Sequence, residues 1–137
     1  MQEEPGRQLA HHLGRALQLT NILRDIDEDA GINRCYLPRE LLALEGIATT
    51  TPAAIADDPS LPRVCCKLVA RAREHFALAD AIMDGAPRNH VRAPRIMSGV
   101  YRCLLDRTVE RGFDLPRTKV SKPRARLLWI VARYAFF

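Results

Sequence analysis

The sequence predicts an all-α protein, a bundle of amphipathic helices packed on one core. Three observations predict it. Apolar residues recur three and four positions apart over long stretches, the signature of one buried helix face. No Asn-Gly or Asp-Gly turn lies between alternating β-branched runs, so hairpins have no signal. The seven glycines and nine prolines act as punctuation between periodic stretches and form no low-complexity segment.

The first helix is expected from about Gly6 to Asp29. Pro5 is a start signal, with Glu3 and Glu4 favourable beside the positive helix end. Leu9, Leu13, Ala16, Leu19, Leu23 and Ile26 form its apolar stripe. Gly31 is the natural stop. A connection over Ile32–Pro38 leads to a short helix at Arg39–Gly46. Thr51 followed by Pro52 reads as an N-cap with proline in the first turn, opening a brief helix broken by Asp57-Asp58-Pro59. Ser60 is a cap for a long helix from about Leu61 to Met83, ended by Gly85. Its stripe is Val64, Leu68, Ala72, Phe76, Ala79 and Ile82. A further helix covers about Ala93 to Arg111 and stops at Gly112. A loop with Pro116 then precedes a last helix, Pro123 to Tyr134.

At 137 residues and 47% hydrophobic, the chain suits one domain with a real core and is no disordered tail. Eighteen of its 21 basic residues are arginine, and the net charge is +5. Arginine forks match phosphate and carboxylate. That balance fits a diphosphate substrate, a membrane surface or nucleic acid, and base composition alone also produces arginine bias. Arg88, Arg92, Arg95 and Arg102 form a basic stripe, but no helix-turn-helix, zinc or RNA-binding signature accompanies it, which argues against nucleic acid. Cys35, Cys65, Cys66 and Cys103 show neither CxxC nor zinc spacing, so free thiols in a reducing compartment are expected. The N-terminus lacks the apolar core of a signal peptide. The run Leu127–Phe137 is too short to span a bilayer and contains Arg133. The expectation is a cytoplasmic protein. The tail is read as a core helix, the alternative being a peripheral membrane contact through Trp129, Tyr134 and Phe136.

One helix face carries chemistry. At about 100° per residue, with Gln18 at zero, Asn21 falls at about 300°, Asp25 at about 340° and Asp29 at about 20°. Asp27 falls on the opposite side and reads as a solvated or helix-end charge. Two like carboxylates at i and i+4 repel, and a cation between them removes the penalty. The donors are all oxygen, which favours Mg²⁺, with Mn²⁺ as the alternative, over zinc. The competing reading is a solvated acidic stripe at a helix end. Arg34 and Tyr36 follow closely, and an arginine there can reach phosphate. Arg24 is expected to pair with Glu28 at i+4.

The string Leu13–Leu42, LGRALQLTNILRDIDEDAGINRCYLPRELL, closely resembles the second aspartate-rich region of the squalene/phytoene synthase family. The shared elements are A-L-Q-L-T-N-I-L-R-D-x-x-E-D followed by R-x-Y-L-P. The segments APRIM (93–97), YRCLLDRTVERG (101–112) and KPRARLLWIVARY (122–134) extend the resemblance to roughly residues 6–135. It is most like the branch that makes presqualene diphosphate for bacterial hopanoids.

The resemblance implies the all-α isoprenoid synthase fold and head-to-head joining of two farnesyl diphosphates. It implies Mg²⁺ held between two facing aspartate-rich helices. Asp25 and Asp29 match the second motif and Asn21 a further metal contact. Gln18 matches a polar neighbour of the reacting centre, Arg34 and Tyr36 diphosphate contacts, and Tyr101 a cavity tyrosine. The family usually has glycine before the arginine of R-x-Y, where this chain has Asn33. No DxxxD precedes Gln18. Asp80 and Asp84 have the spacing but lack amide and arginine companions, and read as a solvated face. The chain is therefore expected to be the C-terminal portion of such an enzyme, with little or no activity alone. Apolar faces meant for missing helices would promote self-association. A non-catalytic partner of the same fold, and a phytoene- or dehydrosqualene-type synthase, remain alternatives.

Overall fold

The structure, a computed structural model, describes residues 3–121 and 129–130. Its elements are α1 (Glu3–Arg24), α2 (Ile26–Gly31), α3 (Arg39–Leu44), α4 (Pro52–Ala56), α5 (Leu61–Asp84), a 3₁₀ turn (Arg88–His90) and α6 (Arg92–Arg111). No strand occurs among the described residues, so the all-α expectation holds.

The long helices α1 and α5 lie against each other, and α6 packs on both. The predicted stripe of the first helix, Leu9, Leu13, Ala16, Leu19, Leu23 and Ile26, is buried throughout. On α5 the buried set is Leu61, Val64, Cys65, Leu68, Ala72, Phe76, Ala79 and Met83. Met83 takes the place expected for Ile82, which is only partly buried. Either lies three or four residues from Ala79, so both share its side of the helix. Burial pushes the Cys65 thiol up to about 12, making it a small apolar core residue with no nucleophilic character.

Two caps differ from expectation. Thr51 and Ser60 occupy the N-cap positions of α4 and α5, but neither side chain makes a capping bond. Instead the Ser60 N–H donates to Asp58 Oδ1 at 2.8 Å, an Asx-type turn that fixes the entry to α5.

The predicted helix at Pro123–Tyr134 lies outside the described residues, apart from helical Trp129 and Ile130. Ile130 is buried over Gly99 of α6, where a Cβ would meet Ile130 Cγ2 at 2.9 Å. Glycine lets that segment approach α6 closely.

Candidate metal centre

The expected single helix from Gly6 to Asp29 is two helices with a break at Asp25. Asp25 has φ −104° and ψ 21°, outside helical values. Yet the Asp25 N–H still donates to Asn21 O at 2.9 Å, and the Asp29 N–H to Asp25 O at 2.8 Å. One bond ends on Asp25 and the other starts from it, so the two helices meet at this residue and the predicted face stays on one side. Gln18, Asn21, Asp25 and Asp29 line one open groove of about 270 Å³ together with Ile22 and Tyr36.

The break changes the charges. Arg24 donates to both carboxylate oxygens of Asp25, Nε to Oδ1 at 2.7 Å and Nη2 to Oδ2 at 3.0 Å. The expected Arg24–Glu28 pair is replaced, because adjacent residues face each other once the backbone leaves the helix. The bond to Asp25 raises the Arg24 guanidinium above its ordinary range, against the opposing effect of burial. Asp29 is held above the usual carboxylate range, first by burial and then by the charges of Asp25 and Glu28, with Arg34 and Arg24 acting against them. Two carboxylates therefore share one groove at an electrostatic cost that a cation removes.

The turn after α2 sets Arg34. α2 ends at Gly31, as expected, and the left-handed closure after it falls on Asn33. Asn33 has φ 58°, the left-handed region. Its N–H donates to Ala30 O at 3.0 Å, and the Arg34 N–H donates to Asp29 O at 2.8 Å. This is a Schellman closure with asparagine where glycine is usual. Asparagine tolerates that conformation better than other non-glycine residues. The family's usual glycine before R-x-Y thus has a backbone reason. The closure ties Arg34 to the backbone of Asp29, and Arg34 Nη1 donates to Tyr36 Oη at 3.0 Å. Arg34 lies in the adjoining hollow, which shares Ile22, Asp29 and Tyr36 with the groove.

Tyr101 is placed differently from the other predicted residues. It is half-buried on α6 against the core, close enough to Arg24 to influence its charge, and it does not line the groove. Asp27 takes the second of its two expected roles, a helix-end charge in the first turn of α2, and Arg117 grips it at 2.7 and 3.0 Å. Asp80 and Asp84 are not the solvated face expected: arginine companions come from α6, Asp80 pairing with Arg102 and Arg95 and Asp84 with Arg95. Arg111 and Arg117 carry no mark in the sequence, because their partners lie up to 90 residues away.

The donor set fits a hard divalent cation. Asn21 Oδ1 is buried without a hydrogen-bond donor, an acceptor left over in a groove that also holds two carboxylates. Among the described residues, no group of three or more His, Cys, Asp or Glu could hold a metal by itself. Mg²⁺ commonly takes one or two carboxylates and completes its shell with water and phosphate.

The model of the family described as squalene/phytoene synthase matches residues 2–126. The chain belongs to this family. It is 54% identical over 133 residues to a presqualene diphosphate synthase of Rhodopseudomonas palustris, covering 97% of this chain and 48% of that protein. A presqualene diphosphate synthase of Sinorhizobium fredii is 53% identical over 135 residues, covering 98% of this chain and 48% of its own length. A 15-cis-phytoene synthase of Enterobacter agglomerans is more distant, at 37% over 122 residues, 88% of this chain and 41% of that protein. The chain thus spans about half the length of the curated relatives it matches. No solved structure matches it. Among the described residues, no helix is long and apolar enough to cross a membrane.

Proposed function

We propose that this chain carries the second metal–diphosphate face of a prenyltransferase that joins two farnesyl diphosphates head-to-head into presqualene diphosphate. The orphaned Asn21 oxygen beside Asp25 and Asp29 carries the metal part of this reading. The higher identity to presqualene diphosphate synthases than to a phytoene synthase carries the product.

Asn21, Asp25 and Asp29 would hold Mg²⁺, or Mn²⁺ in its place. Bound there, the cation would neutralise charge on a departing diphosphate. Arg34, exposed and fixed beside Asp29, offers its guanidinium to the same phosphate oxygens. Its hydrogen bond to Tyr36 ties that fork to the Tyr36 hydroxyl. Gln18 supplies a neutral polar group at the far end of the groove. Ile22 provides an apolar wall that excludes water from a reacting allylic chain. Tyr101, behind Arg24, would act on the prenyl chain only from the α6 side. Exposed Ile32, Leu44, Met97 and Val109 leave apolar surface through which the isolated chain would self-associate. A peripheral membrane contact through the tail would serve an apolar product.

The test is binding of a non-hydrolysable farnesyl diphosphate analogue to the 137-residue chain. Binding should require Mg²⁺ and be lost in Asp25→Ala, while turnover of farnesyl diphosphate stays undetectable. Metal-independent binding, or binding unchanged in Asp25→Ala, would sink the metal reading. Turnover by the chain alone would sink the half-site reading. No binding at all would favour a non-catalytic partner of the same fold.

A further inference from the structure

We infer that Arg111 and Arg117 form a clamp that sets the angle between α1 and α2, making them positioning residues for Asp25 and Asp29. The inference rests on the metal reading above for its consequence, but not for its geometry. The last carbonyls of a helix lack intrahelical donors when the helix is interrupted. At the end of α1, Arg111 supplies them from α6, with Nη2 donating to Leu23 O and Nη1 to Arg24 O, each at 3.2 Å. Arg111 is itself fixed, because its Nε donates to Gly112 O at 3.0 Å and its guanidinium lies 5.5 Å from the Phe113 ring centroid. Gly112 has φ 80°, a left-handed turn that directs the chain back toward the break.

Arg117 takes hold on the other side of the break. Its side chain is 1% exposed, and it donates to both oxygens of Asp27, to Ala56 O at 2.6 Å and to Phe113 O at 3.0 Å. One short turn of chain therefore grips the end of α1 with one arginine and α2 and α4 with another. The grip on α2 is on its back. Asp27 is not among the residues that line the groove. The angle at Asp25 connects the clamp to the ligands. Asn21 lies before that angle and Asp29 after it, so a change there alters the spacing of the set.

The experiment compares Asp27→Ala with Glu28→Ala in the 137-residue chain. Both remove one carboxylate from the first turn of α2, and only the first releases Arg117. Mn²⁺ affinity is read by electron paramagnetic resonance, and amide exchange over residues 26–31 by mass spectrometry. Asp27→Ala should weaken Mn²⁺ by about tenfold, the lower end of the range for losing an outer support of a metal ligand. It should also speed exchange over 26–31. Glu28→Ala removes the same charge but leaves Arg117 in place, so it should change affinity by clearly less than Asp27→Ala does. Arg111→Lys, which cannot serve both carbonyls with a fixed fork, should follow Asp27→Ala. Equal effects of Asp27→Ala and Glu28→Ala would reduce the effect to simple charge and overturn the clamp. If the unaltered chain binds no Mn²⁺, the metal reading falls, and unchanged exchange in Asp27→Ala would then overturn the clamp on its own.

Discussion

Arg24 and Asp25, neighbours in sequence, form a two-point ion pair with bonds of 2.7 and 3.0 Å. Both oxygens of a proposed metal ligand are thereby engaged by a cation of the protein itself. Arg24 and a divalent cation compete for the same carboxylate, so Arg24→Met should tighten Mn²⁺ binding in the absence of diphosphate. The pair is partly exposed, so the gain should be about 1 kcal/mol or less, roughly fivefold in affinity. Calorimetric titration of both chains checks this. Weaker Mn²⁺ binding in Arg24→Met would show that Arg24 supports Asp25 and does not compete for it.

Asn33 provides a stability test of the turn that carries Arg34. With φ 58°, a branched side chain there meets the left-handed penalty of roughly 1–2 kcal/mol. Asn33→Val should lose about that much in urea unfolding, and Asn33→Gly should be neutral or slightly stabilising. A valine variant as stable as the parent would mean that the turn is not left-handed in solution.

Acid should weaken the α1–α5 contact. His12 Nδ1 and His75 Nδ1 lie 3.0 Å apart, a hydrogen bond that needs one of the two nitrogens unprotonated. His75 is held below its ordinary value of 6.5, first by burial and then by His12, Arg15 and His11, with Glu74 opposing. The unfolded chain therefore takes up the proton first as pH falls. Stability is unaffected above the unfolded value and declines below it, until the folded pKa is passed. The melting temperature should fall by a few degrees as pH is lowered from 7.5 through 6.5 toward 5. His75→Gln should flatten that slope. An equally steep slope in His75→Gln would assign the acid sensitivity elsewhere.

These sites differ in how far the sequence discloses them. Period and punctuation suffice for α1, α5 and α6, because burying an apolar stripe is a local pattern with a global consequence. The face Gln18, Asn21, Asp25 and Asp29 is equally local, since helix geometry alone brings i, i+3, i+7 and i+11 together. The break at Asp25 is different. The donors that meet its freed carbonyls and grip Asp27 come from Arg111 and Arg117, 87 to 90 residues away in the chain. Arg111 falls in a segment that resembles the family, but nothing in one dimension names the partners of either arginine. For the same reason Asp27 reads as solvent-facing when its partner is invisible. Asn33 lies between these cases. The departure from glycine is plain in sequence, but its meaning needs the backbone angle.

Asn21 separates stability from function. Its Oδ1 is buried with no donor, and a buried acceptor left unsatisfied costs about 1–3 kcal/mol. A metal ion in the groove would satisfy that oxygen. Leucine is similar in size and has no oxygen to satisfy, and position 21 lies on a helix, where leucine is favourable. Asn21→Leu should therefore raise the melting temperature while abolishing Mn²⁺ and Mg²⁺ binding. Asn21→Asp should retain metal binding, because it keeps a carbonyl-like oxygen and adds charge, but should lose stability without metal by placing a third carboxylate in the groove. Thermal unfolding with and without Mg²⁺ reads both effects in one experiment. The gap between the two curves should be absent in the leucine variant and wide in the aspartate variant. A leucine variant that is less stable than the parent, or that still responds to Mg²⁺, would remove Asn21 from the metal site.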